Sequence, residues 1–175
     1  VYAAMVAALF RDLVEEGNSA PPVVIEAGGG NGRFAWQFLN RLFNYHFVDG
    51  EDCPEFSYLL TDAARRNVVS WAEKSRFKPL VDSNVLQFGQ LKIDDDPVIR
   101  TSSGELRPAD FAGRPTVLIA NYLFDTIPSN LLRIREKRLE QVAMSLISSE
   151  GDFLDRDLSS FASVTEQFQS YPLEG

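Results

Sequence analysis

Cysteine and histidine are all but missing, with one of each in 175 residues. That scarcity excludes a disulfide framework, and it excludes a zinc site built on Cys and His, which needs more such ligands than the chain owns. Any metal would have to be held by oxygen alone, and we expect none. Basic charge is also in deficit: 17 Lys and Arg stand against 25 Asp and Glu, a net charge of −8. Such a chain is a poor electrostatic partner for a phosphate backbone or an anionic membrane, so neither nucleic acid nor membrane is an expected partner. Long apolar runs are lacking too. The most uniform one, residues 1–10, is too short to span a bilayer and runs directly into Arg11, Asp12, Glu15 and Glu16. No basic leader precedes it, so we read neither a signal peptide nor an anchor. The lone Cys53 points to a reducing, intracellular compartment, cytoplasm or mitochondrial matrix.

Hydrophobic residues make up 45% of the chain and charged residues 24%, which suits one globular domain spanning 1–175 and leaves no room for a second full domain. Tyr2, Met5, Val6, Leu9, Phe10 and Leu13 recur at helical spacing, and Gly17-Asn18 supplies a stop. Pro21-Pro22 then launches Val23-Val24-Ile25, a continuous β-branched run suited to a strand buried on both faces. Clustered glycines end it, and Phe34, Phe38, Leu39 and Leu42 return to a helical period. Residues 44–55 read as a polar excursion, 56–61 as the next strand, and Val68 to about Lys74 as a helix. This alternation predicts an α/β fold, a Rossmann-like, doubly wound, mostly parallel sheet with helices on both faces.

Residues 77–81 read as a short third strand, with Asp82 at its end; 85–96 resist assignment. Residues 98–107 around Ser102-Ser103-Gly104 read as a hairpin, and 116–120 as another buried strand. Two more strands are expected around Glu136-Lys137-Arg138. Leu154, Leu158, Phe161 and Phe168 match a helical period in the tail.

The glycine segment carries the chemistry. A strand, a glycine turn and a helix let a ligand approach the backbone and meet helix N–H groups. Gly28, Gly30 and Gly32 form G-x-G-x-G, whereas the dinucleotide fingerprint needs a glycine where Arg33 stands, and no Gly-Lys-Ser/Thr comes after to make a P-loop. Glu26, two residues ahead of the first glycine, would repel a pyrophosphate and attract an ammonium. S-adenosylmethionine (SAM) carries an ammonium and a sulfonium and no phosphate, so it suits this loop better than NAD. Asp62, ending the next strand, can accept both ribose hydroxyls of an adenosine. Asp62 also suits a helix N-cap, and the two roles can coexist. Its distance from the loop exceeds the about 20 residues of the dinucleotide unit, which the 44–55 excursion accounts for.

At these residues the sequence resembles the class I SAM-dependent methyltransferases, whose first motif is a hydrophobic strand followed by E/D-x-G-x-G-x-G; 23–32 matches it without a gap. Residues 117–128, Val-Leu-Ile-Ala-Asn-Tyr-Leu-Phe-Asp-Thr-Ile-Pro, look like the I-I-A-N-E-x-x-D-A-x-P segment of the MidA-like methyltransferases. That family includes mitochondrial complex I assembly factors that methylate protein arginine. The resemblance covers about 23–146, with two specific motifs. It implies SAM as cofactor, a protein or small-molecule methyl acceptor, and a substrate and catalytic side formed by Asn121, Tyr122 and Asp125. Asp125 is the candidate base or amine-orienting group, and Tyr122 the candidate lining of the acceptor side. The family's Glu after the Asn is Tyr122 here, so the resemblance does not carry arginine specificity over to this chain. Asp82 is a candidate for approaching the adenine, with a solvated loop position as its ordinary alternative.

Plainer readings serve the remaining polar residues. His46 and Cys53 read as non-catalytic surface residues, since neither has a partner motif. Asp94-Asp95-Asp96 lacks calcium-loop spacing and reads as a solvated charge run. Arg133, Arg135, Lys137 and Arg138 form a basic cluster that suits either an acidic partner or a charge-protected strand edge. Two alternatives to methyl transfer stay open: a non-catalytic SAM-fold assembly or interaction module, and a nucleotide-binding oxidoreductase. The methyltransferase sheet usually has seven strands and closes on a reversed hairpin. Four strands are credible by Ala120 and at most two more by Ile147, and the chain opens on Val inside a helix, so we expect a fragment of a longer protein.

Overall fold

The computed structural model describes residues 1–47, 53–93, 97–121, 123–127, 130–148 and 164–172. They pack as two compact units, Val1–Ile127 and Pro128–Gly175.

In the first unit, helix α1, Tyr2–Glu15, buries Ala3, Val6, Ala7 and Phe10 along one stripe. It ends as Gly17-Asn18 implies. Gly17 turns left-handed at φ 71°, and its N–H and that of Asn18 close on the carbonyls of Val14 and Leu13 at 3.0 and 2.9 Å. Strand β1, Val23–Ala27, is buried at every position. Helix α2, Arg33–Arg41, continues into a turn of π-helix at Leu42–His46. Strand β2, Ser57–Asp62, and helix α3, Arg65–Ala72, come next.

From Ser75 the chain departs from the expected strand. Ser75–Phe77 is a 3-10 turn and Lys78–Asp82 a short helix, α4. Pro79 sits in the first turn of α4, where its missing N–H costs nothing, and Phe77 is the residue that reaches the core. The third strand comes later, at β3, Leu86–Leu91, inside the stretch that resisted assignment. Its residues, Leu-Gln-Phe-Gly-Gln-Leu, mix polar and apolar because it borders the parallel set. Strands β4, Ile99–Thr101, and β5, Gly104–Leu106, make the expected hairpin, and β6, Thr116–Ile119, the expected last strand of this unit.

These strands form one sheet in the order β5-β4-β3-β2-β1-β6. Strands β3, β2, β1 and β6 are parallel, with β6 at one edge of the sheet, and the β4–β5 hairpin extends the β3 side antiparallel. Six strands therefore precede Ala120 rather than four. The main core lies between the sheet and α1, α2 and α3, with Phe10, Phe38, Leu39, Tyr58, Leu60 and Trp71 at its centre. Among the described residues the α-helices pack on this one face, not on both as expected, and only a 3-10 turn, Pro108–Phe111, reaches the other. The opposite face carries a small cluster of Val23, Ile25, Leu59 and Ile99, with Leu91, Leu106 and Phe111 packed against it. No described helix is long and apolar enough to cross a membrane.

The second unit is a three-stranded antiparallel sheet of β7, Leu131–Arg135, β8, Arg138–Ser148, and β9, Val164–Pro172. The β7–β8 turn falls where expected, at Glu136 and Lys137, both left-handed at φ 50° and 64°, as a two-residue hairpin turn requires. Phe168 is part of β9, not of a helix; Leu154, Leu158 and Phe161 lie outside the described residues. A long cross-strand ladder pairs the backbone groups of this segment that face β8, which overrides its weak helical spacing.

Candidate functional site

In the six-stranded sheet β2 lies on one side of β1 and β6 on the other, so the connections diverge at the C-terminal end of β1. That is the switch point at which open α/β sheets bind ligands. The glycine loop occupies it. Gly28, Gly30 and Gly32 all have positive φ, and the loop is tied to the neighbouring strand and helix. The Gly29 N–H donates to the Thr61 carbonyl at 2.8 Å, and the Trp71 indole N–H to the Gly30 carbonyl at 3.0 Å. The glycines serve different ends. A Cβ at Gly32 would press on Phe77 and Trp71 at 3.1 Å, so this position packs the core. A Cβ at Gly30 would meet nothing within 4 Å, so here the left-handed φ of 53° and an open approach to the backbone account for glycine.

Glu26 and Asp62 flank the loop from adjacent strands. Asp62 is nearly buried and accepts two backbone hydrogen bonds, from Gly30 N–H to Oδ2 and from Ala64 N–H to Oδ1, each 2.8 Å. It thus shapes the glycine loop and starts the turn into α3. Each carboxylate oxygen keeps a second lone pair for another donor. Glu26 is 4% exposed, and its Oε2 accepts a 2.5 Å hydrogen bond from the Tyr58 hydroxyl. Burial pushes its carboxyl from 4.5 up to about 7; the Tyr58 hydrogen bond works against that rise and the Asp62 charge adds to it. Two acidic groups thus stand side by side at one glycine loop, an arrangement that disfavours an anionic ligand group there.

Asn121 comes after β6 and is exposed; continuing the Glu26–Ile119 register sets it level with Gly28. Asp125 is exposed in a 3-10 turn, Phe124–Thr126. The backbone therefore brings Glu26, the glycines, Asp62 and Asn121 to one sheet edge. Tyr122 lies outside the described residues. Asp82 is not brought there. It closes α4, ahead of β3 and so towards the opposite edge of the parallel strands, and pairs with Lys78 at 2.8 Å with both side chains mostly exposed. The residue level with Asp62 on the third strand is Gln90, whose amide donates to the Ala63 carbonyl at 2.8 Å.

Sequence reasoning missed Tyr58, Trp71, Leu123 and Gln90 as parts of this site. Leu123 is the side chain nearest a Cβ at Gly28, 3.1 Å away. Alternation places Tyr58 on one face of β2, but its meeting with Glu26 depends on the Val24–Tyr58 register, which no local signal encodes. Cys53 is partly buried, and burial raises its thiol to about 11, far from a reactive thiolate. His46 offers its carbonyl to Arg11 at 2.6 Å. Asp94, Asp95 and Asp96 lie outside the described residues, among which no group of three or more His, Cys, Asp or Glu is placed to hold a metal. No family model, curated protein or solved structure matches the chain.

Proposed function

We propose that this chain is a class I, MidA-like SAM-dependent methyltransferase domain acting on a protein or small-molecule acceptor. The observation that carries the reading is the pairing of Glu26 and Asp62 about a left-handed glycine loop at the switch point. Two carboxylates there suit a ligand with an ammonium and ribose hydroxyls and disfavour a pyrophosphate.

The residues present fit the cofactor. Glu26 has Oε2 taken by Tyr58, and no described residue donates to Oε1, which is the oxygen for the ammonium. Asp62 would receive the ribose hydroxyls on its remaining lone pairs, and Gly30 leaves the backbone open to close approach. Bound SAM supplies an electrophilic methyl group on a sulfonium. This chain's part is positioning: Asn121 and Asp125, from the segment after β6, orient the acceptor, and Asp125 takes a proton from an acceptor that still carries one. Tyr122 is assigned to the acceptor lining.

Calorimetry with SAM, S-adenosylhomocysteine and NAD tests the reading. SAM and S-adenosylhomocysteine should bind; NAD binding without SAM binding would show a nucleotide-binding oxidoreductase instead. Methyl-donor turnover across candidate acceptors then separates an enzyme from a SAM-fold interaction module.

A further inference from the structure

Tyr58 is fully buried on β2 and Glu26 nearly so on β1, and both project from the sheet face covered by α1 and α2. The register pairs Val24 with Tyr58 and Glu26 with Leu60, so the phenol reaches diagonally along the sheet to Oε2. Phe38 of α2 packs on the Tyr58 ring, centroids 5.4 Å apart, and holds it in place. A buried tyrosine hydroxyl needs a partner, and here the partner is the carboxylate that flanks the candidate ligand loop.

Resting on the cofactor reading above, we propose that Tyr58 is a positioning residue: its hydroxyl aims Glu26 and holds the carboxylate ready for the cationic group of the ligand. Tyr58 and Asp62, both from β2, are the titratable groups that act on Glu26. The core on this sheet face is otherwise built of apolar side chains, among them Ala3 and Val6 from α1, Ala35 and Phe38 from α2, and Ile119 from β6. Burial and the Asp62 charge both favour the protonated acid, and the Tyr58 hydrogen bond opposes them. The phenol does not compete for the role of acid, because burial first and the Glu26 charge second lift its own ionisation well above the usual range. It remains a donor throughout. The hydrogen bond therefore shifts Glu26 towards the carboxylate near neutrality, the form that attracts an ammonium.

Tyr58→Phe removes the donor and keeps the ring. The midpoint of Glu26 should rise by roughly one unit or more. SAM affinity, measured by calorimetry, should then fall about fivefold relative to wild type at pH 7, approach a tenfold deficit near pH 6, and recover towards parity near pH 9. The ratio is the quantity to read, since titration of the ligand's own ammonium cancels in it. A packing defect alone would give a ratio independent of pH, and that result would overturn the proposal. In a Glu26→Gln background the same substitution should leave no pH-dependent ratio. The ligand-free arm is the pH profile of unfolding, where Tyr58→Phe should extend the Glu26 titration to higher pH. A profile parallel to wild type overturns the role of Tyr58. An extended profile with no SAM binding by the wild type overturns the cofactor reading, and with it the positioning role, while leaving the Tyr58–Glu26 bond in place.

Discussion

Every residue of β1 is buried and every residue of β7 is exposed, although each strand carries three large aliphatic side chains. The difference lies in the next segment of chain. After β1 comes a stretch with helical periodicity that returns over the sheet and, with α1 and α3, seals one face. After β7 comes a tight turn and another strand, and the three-stranded sheet gains its order from backbone pairing and cross-strand contacts such as Arg133 to Glu140 at 3.2 Å. Identical side-chain chemistry thus has a different energetic weight in the two units. Leu60 is fully buried, whereas Ile134 is 76% exposed. The ligand-candidate carboxylates belong to the sealed unit: burial, with the Asp62 charge beside it, weakens Glu26 as an acid, and the glycine loop and the turn into α3 give Asp62 its backbone partners.

Substitutions can sharpen or break this contrast. Trp71→Ala strikes the sealed unit hardest. It empties a fully buried site and removes the indole bond to Gly30, and should cost about 3–5 kcal/mol in urea unfolding. A loss under about 1 kcal/mol would mean that α3 does not seal the sheet.

Glu26 supplies the next effect. Its folded-state acidity lies at about 7 against an ordinary 4.5, so between those values the folded chain keeps a proton that the unfolded chain has released. The stability this group contributes is fully present below about 4.5 and is lost, by about 3 kcal/mol, as pH rises through about 7. Glu26→Gln removes the titration. The stability of the variant relative to wild type should therefore climb by about that amount between pH 4.5 and about pH 8. A flat difference across the range would show that Glu26 is not buried as an acid.

Asp62→Ala leaves the Gly30 and Ala64 N–H groups without their acceptor and should cost about 1–3 kcal/mol of stability, while weakening any ligand held at the loop. Ile134→Ala should change stability by less than about 0.5 kcal/mol, since its side chain is already mostly in water. A larger loss in chemical unfolding would refute the contrast from the other side.

Much of this arrangement was legible in the residues. Local signals act over a few positions, and the elements they govern lie where expected: α1 with its glycine stop, β1 into the glycine loop and α2, β2 ending on Asp62, and the hairpins at 99–106 and 131–148. Residues 77–81 misled because five residues are too few to separate a strand from a helix by period, and Pro79 reads equally well as a helix start. Asp82 was misplaced with them, and the true third strand carried too little apolar pattern to declare itself.

Taken alone, the sequence determined the elements from α1 to the end of β2, the hairpins at 99–106 and 131–148, and the two carboxylates that flank the glycine loop, because spacing, turn chemistry and charge are properties of neighbours along the chain. Tertiary structure decided the rest. It selected β3 over the preceding segment, gathered the helices over one sheet face, and brought Tyr58 to Glu26 and Asp62 to the Gly30 amide across 32 residues of chain in each case. Those contacts depend on strand register and on burial. Both arise when distant segments exclude water together, and no window of neighbouring residues contains that information.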